Sequence, residues 1–277
     1  MTFEDFARMH GLIINRVIPH KQVRTATEDH PRKMNGSYKF MGHVGFVINW
    51  ATMDKPATWF PDKDTAINIP KTSRADADKE RKKLADQAAK KAGWILHQCK
   101  NDFHPYLASK GFEFEVGQVW DNNGKKLLVI PMRINGRVVG CQLIDSEGNK
   151  KFLYGQTTKS AVFTMNAKGI PIFCEGFATG LSIREVLKAS NIPYNIHVCF
   201  SASNMQLVAS SFGEGVIVAD NDTSKTGETS ARKTGKPYWI SPTVGEDFND
   251  FHKRVGTFRA SQDLKSIIMK AMQKNVA

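Results

Sequence analysis

Gly169-Ile170-Pro171-Ile172-Phe173-Cys174-Glu175-Gly176 decides the architecture of the last third of this chain. A short apolar run with an acid and a glycine at its exit reads as a buried strand. Ala178 to Ala189 then has the pattern of a helix, and Ile196-His197-Val198-Cys199-Phe200 that of a second strand. A helix is expected over Asn204 to Ser211, a third strand at Gly215-Val216-Ile217-Val218-Ala219, and a helix start at Glu228 to Lys233. Strand and helix in alternation imply a parallel sheet covered by helices. Tyr238-Trp239-Ile240 adds another strand. A last amphipathic helix spans Ala260 to Gln273, with Leu264, Ile267, Ile268 and Met272 on one face.

The strands of this segment end in acids. One ends at Glu175-Gly176, and some forty-five residues later another ends at Asp220-Asn221-Asp222. Ligand sites of open α/β sheets form beyond the carboxyl ends of the strands, so both groups belong to one edge. Asp220 and Asp222, two apart on extended backbone, both point outward from a strand tip. Carboxylates gathered at one edge repel each other unless a cation neutralises them, and hard oxygen donors suit magnesium or manganese. Such ions stabilise the attacking and leaving oxygens of phosphoryl transfer. Gly176 is expected to allow close backbone approach beside Glu175. Glu246-Asp247-Phe248-Asn249-Asp250 follows the next strand, so Asp247 and Asp250 are candidates for a second metal or water-mediated contacts. Thr223-Ser224-Lys225-Thr226-Gly227-Glu228 places small residues before a helix N-terminus, which suits a triphosphate; Lys225 is its candidate contact, although the spacing is not that of a Walker A loop.

Working back along the chain, His104-Pro105 breaks a long helix, and Tyr106-Leu107-Ala108-Ser109-Lys110-Gly111 reads as a short helix with a glycine cap. Leu127 to Pro131, Val138 to Ile144 and Lys151 to Tyr154 are strand-like, and Asn135-Gly136 and Glu147-Gly148-Asn149 are hairpin turns between them. The preceding helix runs from Thr72 to about Lys100, capped by Thr72 or Ser73, after a Pro- and Asp-containing linker at residues 61–71. Before the linker lie a short helix at residues 2–12 and a β-rich stretch. There Met41-Gly42-His43 turns between Tyr38-Lys39-Phe40 and the strand from Val44 to Trp50.

The formal net charge of +12 favours a polyanionic partner, because Lys and Arg on nucleic acid release condensed counterions. No apolar run is long enough to span a membrane, so no membrane partner is expected. The start of the chain lacks the features of a signal peptide, which predicts a cytoplasmic protein of a bacterial host cell. The four cysteines, Cys99, Cys141, Cys174 and Cys199, lie too far apart for a zinc knuckle, so zinc is not expected and most of them read as reduced core residues.

Phe173-Cys174-Glu175-Gly176, Val218-Ala219-Asp220-Asn221-Asp222 and Gly245-Glu246-Asp247-Phe248-Asn249-Asp250, in this order and strand context, resemble the Toprim domain of bacterial-type primases, topoisomerases and some nucleases. Leu128 to Arg133, Gly136 to Gly140 and Gly148 to Gly155 resemble the basic subdomain that precedes it in bacterial and phage primases of the DnaG-like type. The likeness spans residues 104–256 and, more loosely, 1–60. It implies a fold of mixed α+β and α/β class. The expected parts are a small N-terminal β-rich nucleic-acid-binding segment (1–70), a helical linker (71–103), the basic primase subdomain (104–168), the parallel-sheet Toprim catalytic domain (169–256) and a C-terminal helix (257–277).

The activity the resemblance implies is a DNA primase, a nucleotidyltransferase that joins ribonucleotides on single-stranded DNA. Its catalytic residues would be Glu175, Asp220 and Asp222, its magnesium or manganese ligands these three with Asp247 and Asp250. Arg133, Arg137, Lys150 and Lys151 would face phosphate. Single-stranded DNA template and nucleoside triphosphates are the expected partners. The chain shows no Walker A loop, which predicts no fused helicase and leaves a separate replicative helicase as a further partner. In place of the usual zinc ribbon, residues 1–60 resemble the zinc-less ribbon of some phage proteins. There Arg32, Lys33, Lys39 and Trp50, among interleaved cations and aromatics, suit single-stranded DNA, while the same aromatics are also needed to build a core. Two rival activities stay open: a Toprim-type DNA nuclease with the same carboxylates, and a non-catalytic module that binds nucleic acid or a partner. No strand-breaking tyrosine region argues for a topoisomerase.

Overall fold

Thr2 starts the first helix: its hydroxyl accepts the N–H of Asp5 (3.1 Å), and α1 runs Phe3–Met9. The computed structural model describes residues 1–61, 74–166 and 168–273, with the backbone alone at 74–77. The chain divides into two units, Met1–Glu80 and Arg81–Ala277. In the first, β1 (Gln22–Thr25), β2 (Gly36–Phe40), β3 (Gly45–Asn49) and β4 (Ala57–Trp59) form one antiparallel sheet in sequential order. The hairpin expected around Met41-Gly42-His43 is β2–β3, with Tyr38 opposite Val47. Phe3 from α1 is fully buried against this sheet, stacked on Phe40 at 4.8 Å and edge-on to Trp59 at 5.7 Å. Those rings with Leu12, Ile14, Tyr38 and Val47 are the unit's core.

Helix α2 runs Arg74–Gln98, and Ala88, Ala92 and Ile95 bury one face of it. The linker expected at 61–71 lies, but for Pro61, outside the described residues, as do the caps expected at Thr72 and Ser73. In the second unit, β5 (Lys100–Phe103), helix α3 (Pro105–Ser109), β6 (Val116–Asn122), β7 (Lys125–Ile134), β8 (Arg137–Ile144) and β9 (Lys150–Phe152) follow. The five strands make an antiparallel meander in chain order. Asn135 and Gly136 join β7 to β8 with positive φ at both positions (48° and 78°), as a tight hairpin of that type requires. Asn123-Gly124 does the same between β6 and β7. Strands β5 and β6 are additions to the expected meander: apart from the buried Val119 their residues are exposed or only partly buried, so their apolar pattern is faint.

The remainder is the alternating segment: β10 (Phe163–Met165), β11 (Pro171–Cys174), α4 (Phe177–Ala189), β12 (Asn195–Val198), α5 (Ala202–Ser210), β13 (Val216–Ala219), α6 (Thr226–Lys233), β14 (Tyr238–Ile240) and α7 (Phe248–Gln273). The sheet order is β10-β12-β11-β13-β14; the last four named are parallel and β10 is an antiparallel edge. This is the mixed α+β and α/β architecture implied by the sequence. Every residue of β11 and β13 is buried, as a strand covered on both faces demands. Helix α7 begins earlier than the helix expected at Ala260 and breaks at Gly256, where φ is 80°. Leu264 and Ile268 are buried as expected, while Met272 points outward, 58% exposed.

A polar seam joins α7 to the meander side of the unit. Asn249, fully buried, donates from Nδ2 to the Lys110 carbonyl (2.9 Å) and to the Ser182 hydroxyl (3.0 Å). Ser182 also lies 3.1 Å from His252 Nδ1. Truncating Asn249 leaves the Lys110 carbonyl and Ser182 without that donor in a dry environment, which costs about 1–3 kcal/mol. Asn249→Ala is therefore expected to lower the denaturant midpoint with little change in the slope, and an unchanged midpoint would count against this seam.

Candidate active site

Glu175 follows β11 directly and Asp220 follows β13, the two central parallel strands, so both sit at the carboxyl edge of the sheet. The tip of β12 is tied in by the Phe200 N–H, which donates to the Glu175 carbonyl (2.9 Å). Asn221 laces the β13 tip to the loop after β14. Its Nδ2 donates to the Ser241 carbonyl (2.9 Å), its carbonyl accepts from Gly245 N–H (2.6 Å), and its own N–H reaches the Glu246 carbonyl at 3.4 Å. This lacing carries Asp247 and Asp250 toward Asp220. Asp247 starts α7, accepting the Asp250 N–H on Oδ1 (2.9 Å). Glu246, its neighbour, is instead consumed structurally: it is buried, forms a two-point pair with Arg254 (2.7 and 2.9 Å) and accepts from the Ser241 hydroxyl. Arg254 beside it holds its carboxyl below the usual range.

The two central acids are in the opposite condition. Burial, then the charges of Asp220 and Asp222, push the Glu175 carboxyl up to about 7. Burial, then Asp247, push Asp220 up to about 7; Lys150 opposes the rise, while Asp222 and Asp250 add to it. Lys150, on β9, is thus the cation the meander offers to the cluster. It lies 5.8 Å from the Tyr106 ring centroid, and its own pKa is lowered by partial burial and by Lys110, with Asp247 and Asp220 pulling the other way. Lys110 in turn stands 3.9 Å from Asp250. Burial raises the Tyr106 phenol, with Asp247 and Asp250 adding to the effect.

Glu175 Oε1 and Asp220 Oδ1 are both buried without a hydrogen-bond partner. A buried anionic oxygen without a donor is costly, and a hard divalent cation is the partner that carboxylate chemistry suits best. Asp222 is partly committed: its Oδ1 accepts from the Ser224 hydroxyl (2.6 Å) and the Thr226 N–H (3.2 Å), holding the loop that enters α6. Among the described residues no three His, Cys, Asp or Glu side chains close into a ready coordination shell. Magnesium keeps several waters and takes only one or two carboxylates, so Glu175 and Asp220 meet its demand without such a shell. The close approach expected at Gly176 belongs to Gly227 instead. A Cβ on Gly176 would meet nothing nearer than Thr179 at 3.5 Å, whereas one on Gly227 would stand 2.4 Å from the Asp220 carbonyl and 3.1 Å from Glu175 Oε1.

The other candidate residues are distributed differently. Lys151 is exposed on β9 and, as the neighbour of Lys150 in the strand, points to the opposite face. Lys225 is exposed at the start of α6 with φ 54°. Arg137 is exposed beside the β7–β8 turn. Arg133 donates to the Gly136 carbonyl (3.0 Å) and lines a separate cleft of about 320 Å³, shared with Gln118, Phe177 and the Arg184–Glu115 pair. In the N-terminal unit, Arg32 and Lys33 are exposed in a turn and Lys39 is exposed on β2 opposite Phe46. Trp50 is 43% exposed, with the Arg24 guanidinium 4.5 Å from its ring centroid. Tyr38, Phe40 and Trp59, by contrast, are core. Four residues outside the candidate set shape the acidic site: Lys110, Tyr106, Asn221 and Asn249. The first two lie in the short glycine-capped helix read from the sequence, which gave no sign of their place at the site; the two asparagines carried no signal either, because their partners are distant in the chain.

Titration of the central acids has a definite sign. Raised carboxyl pKa values mean that the folded, metal-free protein binds more protons than the unfolded chain between about pH 4.5 and pH 7. The stability they contribute is complete below the ordinary carboxylate range and is lost as pH rises through about 7. Glu175→Gln, which keeps the shape and removes the charge, is expected to raise the melting temperature of the metal-free protein at about pH 8 by several degrees. Magnesium or manganese is expected to stabilise the wild type and not this variant. Calorimetry with and without the cation reads both, and equal cation responses in the two proteins would remove Glu175 from the binding site. Gly227→Ala pushes a methyl against backbone and is expected to cost about 1–3 kcal/mol in denaturant unfolding.

Residues 171–257 match the Toprim domain family. No curated protein matches the sequence. Among solved structures, the chain is similar to one in the assembly of bacteriophage T7 lagging-strand DNA polymerase with primase domains bound to an RNA/DNA hybrid and dTTP. The identity there is 14%, the TM-score 0.44, and the match covers 62% of this chain and 93% of that one. It is also similar to the primase fragment of the bacteriophage T7 primase-helicase protein, with 17% identity, a TM-score of 0.41, and coverage of 59% of this chain and 68% of that one. The β11 Glu-Gly exit, the β13 Asp-Asn-Asp exit and the acids that open α7 all lie inside the matched family segment, and residues 171–257 of this chain are a Toprim domain.

Proposed function

We propose that this protein is a primase-type nucleotidyltransferase that joins ribonucleotides on single-stranded DNA. The observation that carries the reading is the pair of buried, unpartnered carboxylate oxygens, Glu175 Oε1 and Asp220 Oδ1, at the carboxyl edge of the Toprim sheet, with Lys150 of the meander facing them. Glu175 and Asp220 would hold the cation, with Asp222, Asp247 and Asp250 as further candidate ligands. When bound, magnesium or manganese lowers the pKa of an attacking hydroxyl and neutralises charge on the transferred phosphoryl group. The chain's own residues do the rest. Lys150, exposed on β9, supplies positive charge where a triphosphate would enter. Gly227 leaves room for the backbone of α6 to pass beside Glu175. The Asn221 lacing holds Asp247 in place against the repulsion of Asp220.

The +12 net charge supports a nucleic-acid partner. In the N-terminal unit, Lys39 and Phe46 lie opposite each other on an exposed sheet face, and Arg24 and Trp50 form an exposed pair. Aromatics next to cations suit the bases and phosphates of a single strand, so Trp50→Ala should weaken binding of an oligodeoxynucleotide about tenfold in an anisotropy titration. Unchanged affinity would remove Trp50 from the interface.

Incubation with single-stranded DNA, labelled ribonucleotides and magnesium tests the reading. Short labelled products are expected, and Glu175→Gln should reduce them at least about a hundredfold. Lys150→Met is expected to reduce them about tenfold or more and, by removing the cation that opposes it, to raise the Asp220 carboxyl further. Cation titrations distinguish two roles for Glu175. A ligand's loss weakens the apparent cation affinity, whereas a general base's loss removes the acidic limb of the pH–rate profile at unchanged cation affinity. Magnesium-dependent shortening of the DNA without synthesis would replace the primase reading with a nuclease one.

A further inference from the structure

The meander strand that carries Lys150 also carries Phe152, and alternate residues of a strand share a face. The pairing of Ile144 with Lys150 and of Gln142 with Phe152 keeps both in register on β9, the free edge of its sheet. Phe152 therefore projects to the same side as the lysine that faces the acidic cluster. It remains 44% exposed, and its only ring contact among the described residues is with Phe200, edge-to-face at 6.2 Å and 80°. An edge-to-face contact holds a ring in place without covering both of its faces.

Phe200 is the more unusual partner. Its φ is +68°, a left-handed conformation that bulky L-residues rarely adopt. It is held there from both sides: its N–H donates to the Glu175 carbonyl (2.9 Å), and the next residue, Ser201, caps α5 by accepting the Asn204 N–H (3.3 Å). Such backbone strain persists where the surroundings over-determine it, and it concentrates at functional sites. Here it turns an aromatic ring toward Phe152 at a position tied directly to the first acid of the site.

We infer that Phe152 and Phe200 form a stacking subsite for a nucleobase beside the acidic cluster. The inference rests on the nucleotidyl-transfer reading of that cluster and adds to it a base-binding element that the carboxylates and Lys150, which address phosphate and cation, do not supply. Stacking on an aromatic ring is tolerant of sequence, because every base has a π-face. The subsite would thus grip the base of an incoming nucleotide or of the bound strand without selecting its identity.

The test uses the full chain with magnesium and two fluorescent probes, 2-aminopurine ribonucleoside triphosphate and a single-stranded oligodeoxynucleotide containing 2-aminopurine, whose emission is quenched on stacking. Ribose triphosphate, which has no base, is the competitor that reports phosphate binding alone. Wild type should quench at least one probe. Phe152→Ala, at an exposed edge where folding tolerates it, should lose that quench and bind the probe about tenfold more weakly. Phe152→Tyr should restore both, and affinity for ribose triphosphate should be the same in all three proteins. Loss confined to the triphosphate probe identifies the base of the incoming nucleotide; loss confined to the oligonucleotide identifies a base of the strand. If wild type binds nucleotide in a Glu175-dependent way but Phe152→Ala quenches undiminished, or loses ribose triphosphate equally, the stacking subsite is wrong and the nucleotidyl-transfer reading stands. If wild type binds neither probe, both fall together.

Discussion

Carboxylates that share a buried sheet edge repel one another, and each additional acid raises the cost of ionising its neighbours. At the carboxyl end of β11 and β13 this repulsion is concentrated on Glu175 and Asp220, both driven to about 7. The surrounding structure exists to keep them together. The parallel pairing of β11 with β13 sets their separation, Asn221 fastens the loop that brings Asp247, and Gly227 lets α6 pass without a side chain in the way. None of these devices removes the repulsion. They hold a site that is short of positive charge, and Lys150 supplies only part of the deficit.

The meander and the Toprim domain meet at the acidic cluster within the second unit. Lys150 comes from the meander side and the acids from the Toprim side, while the Asn249–Lys110–Ser182 seam fixes the two relative to each other. A buried amide with two good partners suits that task, since it loses more from misalignment than an apolar contact does. Its remaining Oδ1 has no partner, so the seam is not fully satisfied. The Arg254–Glu246 pair nearby shows how the same stretch of acids divides its labour: Glu246 is paired with an arginine that shapes the loop, and its neighbour Asp247 caps the start of α7.

In the N-terminal unit the competing demands on aromatic residues are resolved by strand alternation. Tyr38 and Phe40 point into the core with Phe3 and Trp59, and Lys39 between them points out. Phe46 and Trp50 remain largely outside. A unit this small depends on ring-on-ring packing for its core. Only the aromatics left over from that packing are available to a ligand.

Much of this was legible before any coordinates. The apolar runs of β11, β12 and β13 are buried on both faces, so hydrophobicity alone reveals them, and the alternation with helices dictates a parallel sheet. Glu175 and Asp220 were legible because strand ends in such a sheet lie at one edge, which makes their proximity a consequence of topology. Strands β5 and β6 were not legible, since half-exposed strands carry mixed polarity and take their place from partners. Nor were the roles of Asn221, Asn249 and Gly227, whose value lies in contacts with residues far away in the chain. Nothing in the spacing of Glu246, Asp247 and Asp250 says which is neutralised by an arginine; that depends on where α7 carries Arg254. By itself the sequence determined which residues are acidic, which runs are buried and in what order strands and helices alternate, because these follow from local chemistry and periodicity. The tertiary structure alone decided which acids remain unpartnered, which cation faces them and which rings stay exposed, because each of these is a property of long-range packing.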